Sequence, residues 1–232
     1  MNNAGKMAGT LLCEPEKRSV TKMIDKTRLI IIVRDVPSEK LPQLAEALYD
    51  GGVRLLEVTF DACGKKTDAE TAADIEMLAQ KFSGRMYIGA GTVLTKEQVR
   101  LTKKAGGRFI ISPNTDRDVI TESRMCGLVS IPGAMTATEI HNAHNFGADY
   151  VKLFPVTNLG AGYVKAIKAP LGHIKMLAVG GINEKNISEY LKAGVSGFGV
   201  GSNIINGEYL KNNDFKAITE LAKKYTEAIK NG

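Results

Sequence analysis

Lys152 stands in the run ADYVKLFPV, residues 148–156, where apolar Val151 and Leu153 flank it. In a strand, side chains alternate between faces, so Tyr150, Lys152 and Phe154 share one face and Val151 and Leu153 the other. The run VRLLEVTF, residues 53–60, divides the same way, with Leu55, Glu57 and Thr59 opposed to Leu56, Val58 and Phe60. A lysine and a glutamate turned into a protein interior have two readings. One is a buried ion pair, although burying paired charges seldom adds stability over apolar packing. The other is chemistry: desolvation disfavours the ammonium form, leaving an amine able to attack a carbonyl and form an imine. A nearby carboxylate would then carry protons to and from the intermediates.

The elements that must hold these side chains are legible as a repeat. Eight β-rich runs, at 28–34, 53–60, 86–91, 108–113, 128–133, 149–155, 174–181 and 197–202, alternate with helix-like segments. In residues 38–52, Leu41, Leu44, Ala45 and Leu48 recur at helical spacing before Gly51 and Gly52. Near-continuous apolar strands separated by helices imply parallel strands covered on the outside. The count and length predict an α/β fold, a (β/α)8 TIM barrel in a single domain over 19–232, with a helix near its start and a flexible N-terminal tail over 1–18. Interior layers of such a barrel draw on alternate strands, so the second and sixth strands place Glu57 and Lys152 in one layer, across the axis from each other.

Composition narrows the function. The 232 residues are 44% hydrophobic and 24% charged, as in an ordinary globular chain. A net charge of +6 without a basic stripe or recognition motif argues against nucleic acid and favours a small anionic substrate. No run approaches the roughly 20 apolar residues of a membrane helix, so no membrane partner is expected. Cys13, Cys63 and Cys126 lie far apart, which suggests neither a disulfide framework nor a zinc site and fits a reducing, cytoplasmic location. His141 and His144 lack a carboxylate pattern beside them and read as surface residues, and nothing around Cys63 marks it as a nucleophile. No metal is expected, and with no dinucleotide fingerprint no cofactor.

Gly180-Gly181 and Gly201-Ser202 close the seventh and eighth strands. They are either ordinary turns or the phosphate position usual on this fold, where glycine lets backbone N–H groups approach an anion.

Residues 51–60 (GGVRLLEVTF) and 147–160 (GADYVKLFPVTNLG) resemble the two active-site signatures of the 2-keto-3-deoxy-6-phosphogluconate / 4-hydroxy-2-oxoglutarate aldolases, class I enzymes on a (β/α)8 barrel. The similarity continues through GAGTVLT (89–95), ISPN (111–114), IPGAMTATE (131–139), GGIN (180–183) and GVGS (199–202). The resemblance implies a lyase in which Lys152 forms the imine with a 2-keto acid and Glu57 is the general acid/base. It also implies that Thr92 holds the substrate carboxylate, that Pro113 and Phe154 line the pocket, and that Arg34 binds an anion, unless Arg34 pairs with Asp35 or Glu57. It further implies a phosphate site at Gly180, Gly181, Gly201 and Ser202, a phosphorylated keto-acid substrate and a homotrimer. Two positions depart from the family pattern. Asp61 stands where an arginine is usual, and Val156 stands where Ser or Ala is usual, which would narrow the pocket. The alternatives are a phosphosugar isomerase or epimerase using Glu57 as base, and a non-catalytic barrel that binds a phosphorylated ligand.

Overall fold

The computed structural model describes residues 4–232, with side chains described from residue 15 onward. Eight parallel strands form the wall: β1 (Leu29–Val33), β2 (Leu55–Thr59), β3 (Tyr87–Gly91), β4 (Phe109–Ile111), β5 in two segments (Val129–Ile131 and Gly133–Ala134), β6 (Val151–Leu153), β7 (Met176–Val179) and β8 (Gly197–Val200). The first segment of β5 pairs with β4 and the second with β6, so the barrel closes through a strand interrupted at Pro132, which has no N–H for the ladder. The register sets Glu57 beside Ile32 on one side and Gly89 on the other, and Lys152 between Gly133 and Leu177.

Alternation separates two cores. Outward residues such as Ile31, Leu56, Val58, Val151 and Leu153 pack against the helical layer. Inward residues Ile30, Leu55, Phe109, Ile111, Val129, Ile131, Tyr150 and Leu177 fill the lower barrel. The surrounding helices are α2 (Leu41–Asp50), α3 (Asp68–Lys81), α4 (Lys96–Lys104), α5 (Arg117–Met125), α6 (Ala137–Phe146), α7 (Gly160–Lys168), α8 (Ile187–Lys192), α9 (Gly207–Lys211) and α10 (Phe215–Asn231). Helices α3 and α6 begin with reciprocal capping boxes, Thr67 with Glu70 and Thr136 with Glu139, which satisfy N–H groups the helix leaves open.

The segment expected to be a flexible tail, 1–18, differs from that expectation within the described residues. Helix α1 (Ala4–Thr27) includes Pro15 and runs into the barrel floor. Val20 and Ile24 are fully buried in the inner core. Glu16 pairs with Arg108 at 2.7 Å, Lys17 with Asp149 at 2.9 Å and Asp25 with Lys175 at 2.8 Å. These three partners stand just before β4, β6 and β7, so α1 crosses the N-terminal end of the barrel. Tertiary contacts here outweigh the poor helix propensity of a Gly- and Pro-containing segment. Among the described residues, no helix is long and apolar enough to cross a membrane.

Candidate active site

Strand β2 delivers Glu57 and strand β6 delivers Lys152 to the interior above the apolar layers. Glu57 is 1% exposed and Lys152 7%. They are not a direct ion pair. The Lys152 Nζ lies 4.6 Å from the centroid of the Phe154 ring, and Glu57 Oε2 has no hydrogen-bond partner among the described residues. Burial pushes the Glu57 carboxyl above the usual carboxylate range, against the attraction of Lys152 and, less strongly, Arg34. Burial pushes the Lys152 amine below the usual lysine range, opposed by Glu57 and assisted by the Arg34 charge. Each group therefore loses more by desolvation than it gains from its neighbour, an arrangement more often found at sites of proton transfer than in structural pairs.

Two glycines on β3 make room for this layer. A Cβ at Gly89 would overlap the Phe109 ring, and one at Gly91 would overlap the Glu57 carboxylate. The carboxylate thus lies flat against the backbone of the neighbouring strand.

Above the pair opens a cavity of about 600 Å³. Lys152 lines it together with every expected binding residue: Arg34, Thr92, Pro113, Phe154, Gly180, Gly181, Gly201 and Ser202. Glu57 lies beneath its floor. Arg34 donates from Nη2 to Thr92 Oγ1 at 2.9 Å, a bond that joins the ends of β1 and β3. Thr92 holds φ at +54°, a left-handed conformation unusual for a β-branched residue, of the kind retained at sites where the surroundings over-determine it. On the opposite wall, Gly180 and Gly181 have φ of +99° and +71°. A Cβ on Gly181 would come within 2.8 Å of Thr157 Oγ1, so glycine is required there on two grounds.

Several expectations are corrected. Arg34 bonds to Thr92, not to Asp35 or Glu57; Asp35 faces Lys65 instead, at 3.9 Å. Asp61, which replaces a positive anchor with a negative charge, does not line the cavity. Its carboxylate accepts the backbone N–H groups of Cys63 at 2.7 Å and Lys66 at 2.8 Å, folding the loop after β2, and these bonds hold it below the usual range. Val156 does not narrow the site: it is fully buried in the outer core, and its carbonyl accepts from Tyr190 Oη at 3.3 Å. His144 meets the His173 ring edge-on at 5.2 Å, and no group of metal-ligating side chains occurs among the described residues. Ile32, Val179, Ile182 and Asn203 also line the cavity and were not anticipated. The first two follow from alternation on β1 and β7, whereas Asn203 depends on a loop conformation that no spacing reveals.

The family model described as "Aldolase: KDPG and KHG aldolase" matches residues 20–221. Among similar proteins, a 2-dehydro-3-deoxy-6-phosphogalactonate aldolase from Escherichia coli (strain K12) is 32% identical, the match covering 88% of this chain and 97% of the relative. A 2-dehydro-3-deoxy-phosphogluconate aldolase from Treponema pallidum (strain Nichols) is 30% identical, covering 91% and 98%. The solved KDPG aldolase of Legionella pneumophila, with pyruvate captured as a covalent carbinolamine, superposes with a TM-score of 0.76 at 33% identity, covering 85% of this chain and 93% of that one. A native KDPGal structure gives a TM-score of 0.79 at 29% identity, covering 88% and 94%. A buried amine and carboxyl at the base of a barrel mouth lined by Arg34 and paired glycines, in a chain matched over nearly its whole length, lead to one assignment: the protein belongs to the KDPG and KHG aldolase family.

Proposed function

We propose that this aldolase cleaves a 2-keto-3-deoxy sugar acid, 6-phosphorylated or of the 4-hydroxy-2-oxoglutarate type, to pyruvate and an aldehyde through an imine on Lys152. The observation that carries the reading is the Lys152 amine itself, which burial holds toward its neutral form at the base of the cavity. The neutral amine adds to the C2 carbonyl, and loss of water gives an iminium that draws electrons from C3. Removal of the C4 hydroxyl proton then breaks the C3–C4 bond, releasing the aldehyde and leaving an enamine. Protonation at C3 and hydrolysis release pyruvate and restore the amine. Glu57, with its unpartnered oxygen in the same layer, is the group that moves these protons.

Arg34, oriented by Thr92, is the cation placed to hold the keto-acid carboxylate, a duty that a negatively charged Asp61 cannot take. The far anionic end of the substrate fits the neutral cradle of Gly180, Gly181, Gly201 and Ser202, where Pro113 and Phe154 supply the apolar walls between. We further propose a homotrimer, three times the 25.0 kDa chain, in a reducing compartment such as the cytoplasm, since Cys63 and Cys126 are free. Sedimentation at working concentration tests the assembly, and a monomeric mass would exclude it.

Borohydride reduction in the presence of pyruvate, followed by peptide mass spectrometry, is expected to place a reduced adduct on Lys152. Labelling elsewhere, or no labelling, would sink the mechanism. Gly91→Ala gives a second check. The added methyl displaces the Glu57 carboxylate, and a displacement near 1 Å is expected to lower kcat about 100-fold with KM nearly unchanged. Steady-state pyruvate release measures it.

A further inference from the structure

The two glycines of the β7 loop create a problem that the sequence does not solve at those positions. Thr157 forbids a side chain at Gly181, yet glycine leaves the adjoining peptide free to turn over. One orientation of the 181–182 peptide presents an N–H to the cavity, and the opposite one presents a carbonyl oxygen, which would repel an oxyanion. Something must select between them.

Two asparagine side chains do so. Asn186 donates from Nδ2 to the Gly181 carbonyl at 2.9 Å, while its Oδ1 accepts the Asn183 N–H at 2.9 Å. Asn203, from the loop after β8, donates from Nδ2 to the Ile182 carbonyl at 2.8 Å. The 182–183 peptide is thereby clamped at both ends, by Asn203 at its oxygen and by Asn186 at its nitrogen. In a planar trans peptide the C=O and N–H point in opposite directions. Holding the Gly181 carbonyl on Asn186 therefore turns the Ile182 N–H the other way. Ile182 lines the cavity, is 1% exposed, and its N–H meets no acceptor among the described residues. A buried donor without a partner is a rare and unfavourable thing to retain, unless a ligand completes it. The bond from Asn203 also ties the β7 and β8 loops into one unit, so the two halves of the cradle keep a fixed spacing.

We propose that Asn186 and Asn203 are positioning residues for the phosphate end of the substrate: they hold the Gly181 and Ile182 carbonyls out of the cavity so that the Ile182 N–H faces the anion. This rests on the phosphate reading given above. The side-chain amides are spent on carbonyls, so the residues act through the backbone they orient.

The test is steady-state kinetics of Asn203→Leu and Asn186→Asp with a phosphorylated 2-keto-3-deoxy acid and its unphosphorylated counterpart, alongside inhibition by inorganic phosphate. Asn203→Leu removes the donor without adding charge, and Asn186→Asp keeps the acceptor for Asn183 while removing the donor. Loss of one charge-assisted contact predicts that KM for the phosphorylated acid and Ki for phosphate rise together by about tenfold, while kcat changes less than twofold. A merely structural role would raise KM for both acids alike or lower kcat, and either result overturns the proposal. If the parent protein shows neither a preference for the phosphorylated acid nor inhibition by phosphate, the phosphate reading itself falls. If the parent shows both and the variants retain them, only the asparagine brace falls. Should Asn203→Leu fail to fold, Asn203→Ser removes the same donor with a smaller side chain.

Discussion

Lys152→Arg is expected to lower kcat by about 10⁴-fold or more, because a guanidinium cannot form an imine yet keeps the positive charge. Pyruvate release in a coupled assay is the measure, with borohydride trapping as the parallel readout. The substitution separates the imine mechanism from one in which Lys152 serves only as a charge, as it would in an isomerase using Glu57 as base. Substantial residual turnover would favour the latter. The same position carries a stability consequence. Burial lowers the amine's proton affinity in the folded chain below its unfolded value, so between the lowered pKa and 10.5 the unfolded state binds more protons and stability rises with pH. Lys152→Met removes that cost. The variant is expected to be more stable than the parent at neutral pH by about 1 kcal/mol, with the gain fading as pH climbs from the lowered pKa to 10.5 and gone above it. Thermal unfolding at several pH values tests this.

Glu57→Gln is expected to reduce kcat by about 10²- to 10⁴-fold, the usual contribution of a positioned acid/base, with a smaller change in KM. The pH profile should change with it. Desolvation raises the Glu57 pKa above 4.5, so the acidic limb of kcat/KM in the parent should lie at higher pH than a free carboxylate would give, and should vanish in the variant. The linkage has the opposite sense to that of Lys152. With the folded pKa raised, the favourable protonated form contributes fully below 4.5, and the contribution is lost as pH rises through the raised value. Glutamine, which never ionises, should therefore make the protein more stable at neutral pH and leave it little changed in acid. A loss of stability at neutral pH would show that the attraction from Lys152 outweighs burial, contrary to the order of effects at this site.

Much of this was readable from pattern, for physical reasons. Each strand repeats every two residues and is buried on both sides, so alternation alone placed Leu55, Glu57, Tyr150 and Lys152 inside and Val58 and Leu153 outside. Strand parity then put the amine and the carboxyl in one layer. What pattern could not supply is conformation set by distant contacts. Residues 1–18 read as a tail because α1 contains Pro15 and the residues that hold it, Arg108, Asp149 and Lys175, lie far along the chain. Helix α7 opens at Gly160 without a side-chain cap, so it carries no start signal. Asp61 and Val156 were judged by comparison with neighbours in a motif, yet their effects depend on where the chain turns: one faces its own loop and the other faces the outer core. Asn186 and Asn203 escaped notice for the same reason.

The helix across the barrel floor has a further consequence for traffic. With Val20 and Ile24 sunk among the lowest interior residues, and Tyr150 Oη donating to Asp25 Oδ1 at 2.8 Å and to the Thr21 carbonyl at 3.2 Å, the described residues cover the barrel at the end opposite the cavity. Whatever is bound to Lys152 at the bottom is covered by whatever occupies the loops above it. Departure must therefore be sequential, the aldehyde leaving before the keto acid, and synthesis run in reverse must load the keto acid first. Product-inhibition patterns should show that order, with pyruvate competitive against the substrate and the aldehyde noncompetitive.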